Sequence, residues 1–177
     1  MTINARSGAL PDNHVPDLLA PNLRLVFCGT ALGYESARRK AYYANPGNFF
    51  WRTLHEIGLT PTRFQPEEYP RLLSLGLGLT DLCKTSYGND ADLPDDAFDR
   101  EALRGKLEQY QPAILAFTSK TGAAHFLNKP TGKLAYGFQP ETIGNTRIAV
   151  LPSPSGQARV FWQQQFWQEV ADATKRL

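Results

Sequence analysis

The chain has few of the features that mark secreted, metal-binding or membrane proteins. Its two cysteines, Cys28 and Cys83, each lie in an apolar stretch, and their spacing matches neither a disulfide pair nor a metal motif. No apolar run approaches the roughly 20 residues of a membrane span, and the N-terminal MTINARSGALPDNH lacks the apolar core of a signal peptide. The sequence therefore predicts a soluble, cytoplasmic protein with no metal site and no membrane partner.

Nucleotide-binding fingerprints are also missing. Gly29 and Gly33 are spaced as GxxxG rather than GxGxxG, and no Walker lysine and serine follow them. Nineteen Lys and Arg residues against 17 Asp and Glu residues leave a net charge of +2, which by itself does not indicate a polyanionic partner. We therefore expect no nucleotide cofactor, and the position of the positive charge has to decide whether DNA binds.

The 177 residues contain an alternation of short apolar runs and helical patterns. The apolar runs lie at 23–28, 76–82, 113–119 and 148–156, and the helical patterns lie at 48–58, from 66, at 99–110, at 120–128 and from about 158. Strands that alternate with helices form parallel sheets covered on both faces. We expect one monomeric three-layer α/β/α domain at 21–177 with a mainly parallel four-stranded sheet, preceded by a loose leader at 1–20.

Three of the predicted strands end in loops of unusual composition. GTALGYES follows the first strand, TDLCKTSYGNDAD the second and PSPSGQAR the last. Because open α/β sheets bind ligands beyond the carboxyl ends of their strands, these loops are expected to converge on one cleft.

Four motifs, FCGTALG, YANPGNFFW, GLTDL and LPSPSGQAR, resemble those of the uracil-DNA glycosylase superfamily. Their order and spacing look most like the mismatch-specific uracil/thymine branch, and a hypoxanthine-removing branch shares the YY-x-x-P-x-N-x-FW pattern. The resemblance covers the chain from about residue 21. It implies a DNA repair enzyme that flips uracil out of DNA and hydrolyses its N-glycosidic bond, leaving an abasic site without a metal or cofactor.

The resemblance assigns a base pocket to the opening loop and the segment after it. The predicted base-binding residues are Gly29, Thr30, Ala31, Tyr43 and Asn48. Tyr43 matches the aromatic residue that stacks on the flipped base, although on spacing alone either member of the Tyr42–Tyr43 pair equally suits core packing. Asn48 matches the asparagine of P-x-N-x-FW, and it also suits the N-terminus of the next helix, so that both roles are compatible.

The expected catalytic position departs from the family. The mismatch-specific branch has an asparagine in the first loop to position water, but this chain has Ala31, whose methyl group cannot do so. We predict that the carboxylate of Asp81, at the end of the second strand, stabilises positive charge on the sugar and orients water. Without the family, Asp81 is more simply a cap for the turn TDLCKTS. The alternative carboxylates are Glu35, Asp90 and Asp92.

The last loop is predicted to hold the DNA backbone. The predicted DNA-binding residues are Ser153, Ser155, Gly156, Gln157 and Arg159. Small residues let the backbone approach phosphates, and Gln157 and Arg159 match the family's wedge residues, although a solvated arginine is the default on sequence alone. The basic run 38–40 suits either a solvated surface or a second backbone contact. Phe161, Trp162, Phe166 and Trp167 lie at helical spacing, which predicts core packing.

Other classes of function remain open at this point. The missing asparagine also suits a module that flips and holds uracil in DNA without cleaving it. The pocket also suits a glycosylase for another base, such as hypoxanthine or mismatched thymine. A small hydrolase acting on free nucleosides is a more remote alternative.

Overall fold

The computed structural model describes residues 15–177, whose centre is a five-stranded sheet with the order β2-β1-β3-β5-β4. The strands are β1 (Leu25–Gly29), β2 (Leu77–Asp81), β3 (Ile114–Phe117), β4 (Gly137–Ile143) and β5 (Thr146–Val150). The pairs β1–β2, β1–β3 and β3–β5 are parallel, and β4 runs antiparallel to β5. The predicted α/β fold with a mainly parallel sheet is confirmed.

Helices cover both faces of this sheet. They are α1 (Tyr34–Arg39), α2 (Phe50–Glu56), α3 (Arg100–Tyr110), α4 (Lys120–Leu127) and α5 (Gln164–Lys175). Leu25 and Phe27 of β1 pack with α2 and α5 on one face, while Val26 and Cys28 pack with α3 and α4 on the other. Alternate strand residues point to opposite faces, so the five buried residues of β1 contribute to both cores. None of the described helices is long and apolar enough to cross a membrane.

The predicted number of strands was too low by one. The missed strand is β4, GFQPETI, which pairs with β5 and has a register shift between Phe138 and Thr142. Pro140 lies within this irregular stretch, and a proline cannot donate to a ladder, so it is tolerated in strands mainly at sheet edges. The sequence showed no regular alternation there because the strand is irregular and only partly buried.

Residues 15–20 lie against the sheet, although the sequence placed them in a loose leader. Leu18 forms an antiparallel bridge with Leu79, with backbone N–O distances of 2.8 and 2.9 Å, and Val15 is fully buried. This short segment therefore covers the outer edge of β2. The remaining leader, with His14, lies outside the described residues, and its looseness stays a prediction.

The last helix begins later than the sequence suggested. Gly156–Phe161 forms a 3₁₀ turn, which begins where Ser155 Oγ accepts a hydrogen bond from the Gln157 N–H, and α5 starts only at Gln164. Trp167 is buried as expected, but Phe161 is 62% exposed. The prediction of core packing for Phe161 was wrong because it assumed one continuous helix.

Candidate active site

The carboxyl ends of β1, β2 and β3 bring four residues together, which we call the strand-end cluster: Gly29, Tyr43, Asp81 and Thr118. Gly29 and Asp81 are the last paired residues of β1 and β2. A Cβ atom on residue 29 would lie 2.5 Å from Asp81 Oδ1 and 3.4 Å from the Tyr43 hydroxyl. Only glycine leaves room for the Asp81 carboxylate in this position.

Asp81 is a buried carboxylate with an unpartnered oxygen. The residue is 4% exposed, and no hydrogen-bond donor among the described residues reaches its Oδ2 atom. The nearest cation is Lys84, whose Nζ lies 3.6 Å from Oδ2, beyond the range of a good hydrogen bond. Burial raises the pKa of Asp81, Lys84 lowers it and Asp17 raises it further, with a net increase. A buried oxygen without a partner is costly, while the other carboxylate oxygen, Oδ1, faces the end of β1 at Gly29 and the Tyr43 hydroxyl.

Tyr43 forms the aromatic wall of the cluster. Its half-buried ring stacks on Phe50, with 3.9 Å between centroids and 15° between planes, and its hydroxyl lies 3.0 Å from Thr118 Oγ1. Its backbone φ of 52° is left-handed, which is uncommon for an aromatic residue and strains the chain. Tyr42, by contrast, is 1% exposed and donates its hydroxyl to Pro16 O, so Tyr42 is the core member of the pair.

Thr30 and Ala31 of the first loop contact residues other than Asp81. Thr30 Oγ1 lies 3.1 Å from Ser119 Oγ and 3.4 Å from Asp90 Oδ2. Ala31 packs against a small apolar cluster made of Cys83, Leu93 and Ala97. Ala31 has no polar group to offer a ligand, and its predicted role in binding the base stays a prediction.

The alternative carboxylates have other partners. Glu35 makes a two-pronged ion pair with Arg38, with both N–O distances at 2.7 Å, and this pair lowers the pKa of Glu35. Asp90 and Asp92 lie on the exposed second loop, where they accept hydrogen bonds from Thr30 and Tyr34. Of the predicted carboxylates, Asp81 is the one that is both buried and adjacent to Tyr43.

The motif YANPGNFFW and the last loop, PSPSGQAR, are in contact. The Phe49 N–H donates to Pro154 O at 2.8 Å, and a Cβ on Gly156 would lie 3.1 Å from Gly47 O. Asn48 Oδ1 accepts from the Phe50 N–H at 2.9 Å, but the N-cap of α2 is Phe49, so the prediction of Asn48 as the N-cap was one residue too early.

The polar groups predicted to hold DNA lie along the last loop. Ser153 Oγ accepts from the Ser155 N–H, and Gln157 and Arg159 are exposed. The Arg159 guanidinium lies 5.4 Å from the centre of the Phe49 ring. The structure therefore presents a cationic and amide-bearing rim beside the second motif.

A separate depression of about 400 Å³ lies between α3 and α4, lined among others by Phe98, Arg100, His125 and Lys129. There the His125 ring stacks flat on Phe98, with centroids 3.6 Å apart. This depression is open and contains none of the strand-end cluster. We therefore assign the candidate chemistry to Asp81 rather than to this depression.

Three residues of the site were missed from the sequence: Lys84 beside Asp81, Asp17 beside Lys84, and Thr118 beside the Tyr43 hydroxyl. Lys84 lies three residues after Asp81 in the same loop, so its proximity was the one available signal. Asp17 lies more than 60 residues away in the chain, and Thr118 lies beyond a third strand. Their approach depends on sheet order, which the local pattern does not contain.

Comparison with known proteins agrees with the fold and the motifs. Residues 16–173 match the family described as the Uracil DNA glycosylase superfamily. The structure is also similar to the solution NMR structure of a protein from Methanosarcina acetivorans that is provisionally named a uracil DNA glycosylase. That similarity has a TM-score of 0.65 at 25% sequence identity and covers 93% of this chain and 98% of the other. The chain belongs to the uracil DNA glycosylase superfamily.

Proposed function

We propose that the protein removes uracil from DNA by hydrolysing the N-glycosidic bond, with Asp81 as the catalytic carboxylate. The observation that carries this proposal is the buried Asp81 carboxylate at the carboxyl ends of parallel strands, with its Oδ1 atom on the side of the Tyr43 hydroxyl and its Oδ2 atom without a hydrogen bond. Membership of the superfamily supports DNA glycosylase activity in general. The choice of uracil, and a place in the mismatch-specific uracil/thymine branch, rest on the sequence motifs.

Breaking the bond between base and sugar leaves positive charge on the deoxyribose. An ionised carboxylate in a site of low dielectric stabilises that charge far more than it would in water. In this proposal Asp81 Oδ1, which lies toward Gly29 and the Tyr43 hydroxyl, interacts with the sugar cation and the attacking water, while the buried Oδ2 faces Lys84. The bond between the sugar carbon and the base breaks with its electron pair going to the base, water adds to the sugar carbon, and the proton that water loses passes to the Asp81 carboxylate and from there to the uracil anion, which restores the carboxylate. The products are free uracil and an abasic site.

The remaining predicted residues would hold the nucleotide. In this proposal Tyr43 stacks on the flipped base, while Gly29, Thr30 and Ala31 border it and Asn48 fixes the start of α2. Ser153, Ser155 and Gly156 approach the DNA backbone. Gln157 and Arg159, which are exposed next to the second motif, fill the space that the flipped nucleotide leaves.

The first test is a panel of end-labelled oligonucleotides that contain uracil, hypoxanthine or mismatched thymine, as single and double strands. We expect alkali-labile breaks and free base from uracil, and no break in the same oligonucleotides with cytosine in place of uracil. Tight binding of uracil DNA without base release would instead identify a uracil-holding module. Release of hypoxanthine alone would move the protein to the other branch, and cleavage of free uridine without DNA cleavage would identify a nucleoside hydrolase.

Stacking by Tyr43 makes a separate prediction. Tyr43→Ala should lower uracil release about 5- to 100-fold, because stacking of one base on an aromatic ring is worth about 1–3 kcal/mol. Tyr43→Phe is the matched control, since it keeps the ring on Phe50 and removes only the hydroxyl contact with Thr118. Single-turnover rates separate the two variants. Full activity in Tyr43→Ala would show that the base does not stack there.

A further inference from the structure

We propose that Lys84, held in place by Asp17, is a positioning residue that supplies positive charge to the buried Oδ2 side of Asp81, while Oδ1 faces the strand-end cluster. This inference rests on the proposed function of Asp81. It also makes the short segment before β1, through Asp17 and Val15, part of the active site.

The ammonium group of Lys84 directs its N–H groups to partners other than Asp81. Its Nζ donates to Val15 O at 3.1 Å and to the Tyr42 hydroxyl at 3.2 Å, and it lies 3.1 Å from Asp17 Oδ1. An ammonium has three N–H groups, and these three partners use them all. Asp81 Oδ2, at 3.6 Å, therefore receives charge from Lys84 without a good hydrogen bond. This arrangement explains why a buried carboxylate next to a lysine still has an unpartnered oxygen.

Asp17 fixes the lysine from the other side. Its Oδ1 accepts from Thr80 Oγ1 at 2.8 Å, and its Oδ2 lies 2.6 Å from Lys106 Nζ of α3. Burial would raise the pKa of Asp17, but Lys84 and Lys106 outweigh burial and lower it, so Asp17 stays charged. The bridge between Leu18 and Leu79 holds the segment that carries Asp17. The four groups form a charge chain in the order Asp81, Lys84, Asp17, Lys106.

The charge chain decides the protonation of Asp81. The charged groups that face it are Lys84, Asp17 and Lys106; the nearby Tyr42, Tyr43 and Cys28 have pKa values raised by burial, so they remain neutral. Burial alone would lower the pKa of Lys84, but Asp81 and Asp17 outweigh it and keep the lysine charged. Lys84 thus opposes the burial that favours a protonated, inactive Asp81.

The test is the pH dependence of the single-turnover rate of uracil release in charge-chain variants. Lys84→Met should move the acidic limb to higher pH and lower the rate at pH 6 about tenfold or more, since an adjacent cation typically favours a carboxylate by that much. Asp17→Asn removes an anion, so its acidic limb should move to lower pH, with a lower plateau because the freed lysine now donates to Oδ2. Lys84→Arg should restore most of the wild-type profile.

Two further measurements keep the inference separable from the proposed function. Lys133→Met, at an exposed lysine outside the charge chain, should leave the profile unchanged. Carboxyl ¹³C NMR of the free protein, with the Asp81 signal assigned by its loss in Asp81→Asn, follows the same titration without substrate. If the wild type released no base, the proposed function would fail while the NMR titrations still tested the charge chain. Equal Asp81 titrations in wild type and Lys84→Met, or shifts of the same sign in Lys84→Met and Asp17→Asn, would overturn it.

Discussion

Replacing Asp81 by asparagine is expected to lower the single-turnover rate of uracil release at least about a hundredfold, the scale of a lost acid–base group. Asparagine has nearly the same shape as aspartate, but it carries no negative charge to stabilise the sugar cation. Binding of uracil-containing DNA should be retained, because the predicted stacking ring and the last loop are untouched. Rates measured with protein in excess, together with fluorescence anisotropy of labelled DNA, separate loss of chemistry from loss of binding. Undiminished release would remove Asp81 from the mechanism.

The same variant should also reveal the cost of keeping Asp81 charged. Because burial raises the pKa of Asp81 in the folded protein, its contribution to stability is present below its unfolded value, near 3.8, and is lost as the pH rises through the folded value. The melting temperature of Asp81→Asn relative to wild type should therefore increase as the pH is raised from 4 to 8. A constant difference across this range would mean that Asp81 titrates normally. A gain in stability with a loss of activity is typical of functional groups held in unfavourable surroundings.

The second large effect is expected at Gly29. A methyl group there would lie 2.5 Å from Asp81 Oδ1, so Gly29→Ala has to displace the carboxylate or the strand end. A displacement of about 1 Å in a catalytic group costs about a hundredfold in rate, and we expect a loss of that size. The cost in stability should be about 1–3 kcal/mol, which is usual for an added methyl group in a packed site.

Gly33→Ala is the matched control for this prediction. Gly33 lies in the same loop, its φ is −72°, and no atom lies within 4 Å of the position of its Cβ. This variant should keep wild-type rates and melting temperature. Equal activity in Gly29→Ala and wild type would contradict the close packing of Asp81 on the end of β1.

The sequence was informative where local patterns determine the result. Each parallel strand was a short apolar run ending in a loop, so the positions of Gly29 and Asp81 at the ends of strands followed from the pattern, whereas the pairing of those two strands is a result of the structure. The strand β4 was not predicted because Pro140 interrupts its pattern. The start of α5 was placed too early because Gly156–Phe161 has an apolar spacing compatible with a helix.

The least predictable part of the site is the charge chain. Asp17 lies in a segment whose composition is that of a loose leader, and the packing of Leu18 on β2 that brings it to Lys84 is a tertiary contact. A salt bridge between residues as far apart in the chain as Asp17 and Lys84 produces no periodic pattern in a single sequence. The separate roles of Tyr42 and Tyr43 likewise required the left-handed backbone at Tyr43, which adjacent tyrosines do not indicate.

The central claim is that one carboxylate, Asp81, performs the chemistry in a member of this superfamily that has alanine in its first loop. The most direct measurement is free uracil released from DNA, quantified by mass spectrometry, for wild type, Asp81→Asn, Glu35→Gln and Asp90→Asn under identical conditions with protein in excess. We predict full release by the wild type, release near the wild-type rate by Glu35→Gln and Asp90→Asn, and almost none by Asp81→Asn. Release by Asp81→Asn at the wild-type rate, with loss in either of the other two variants, would contradict the account.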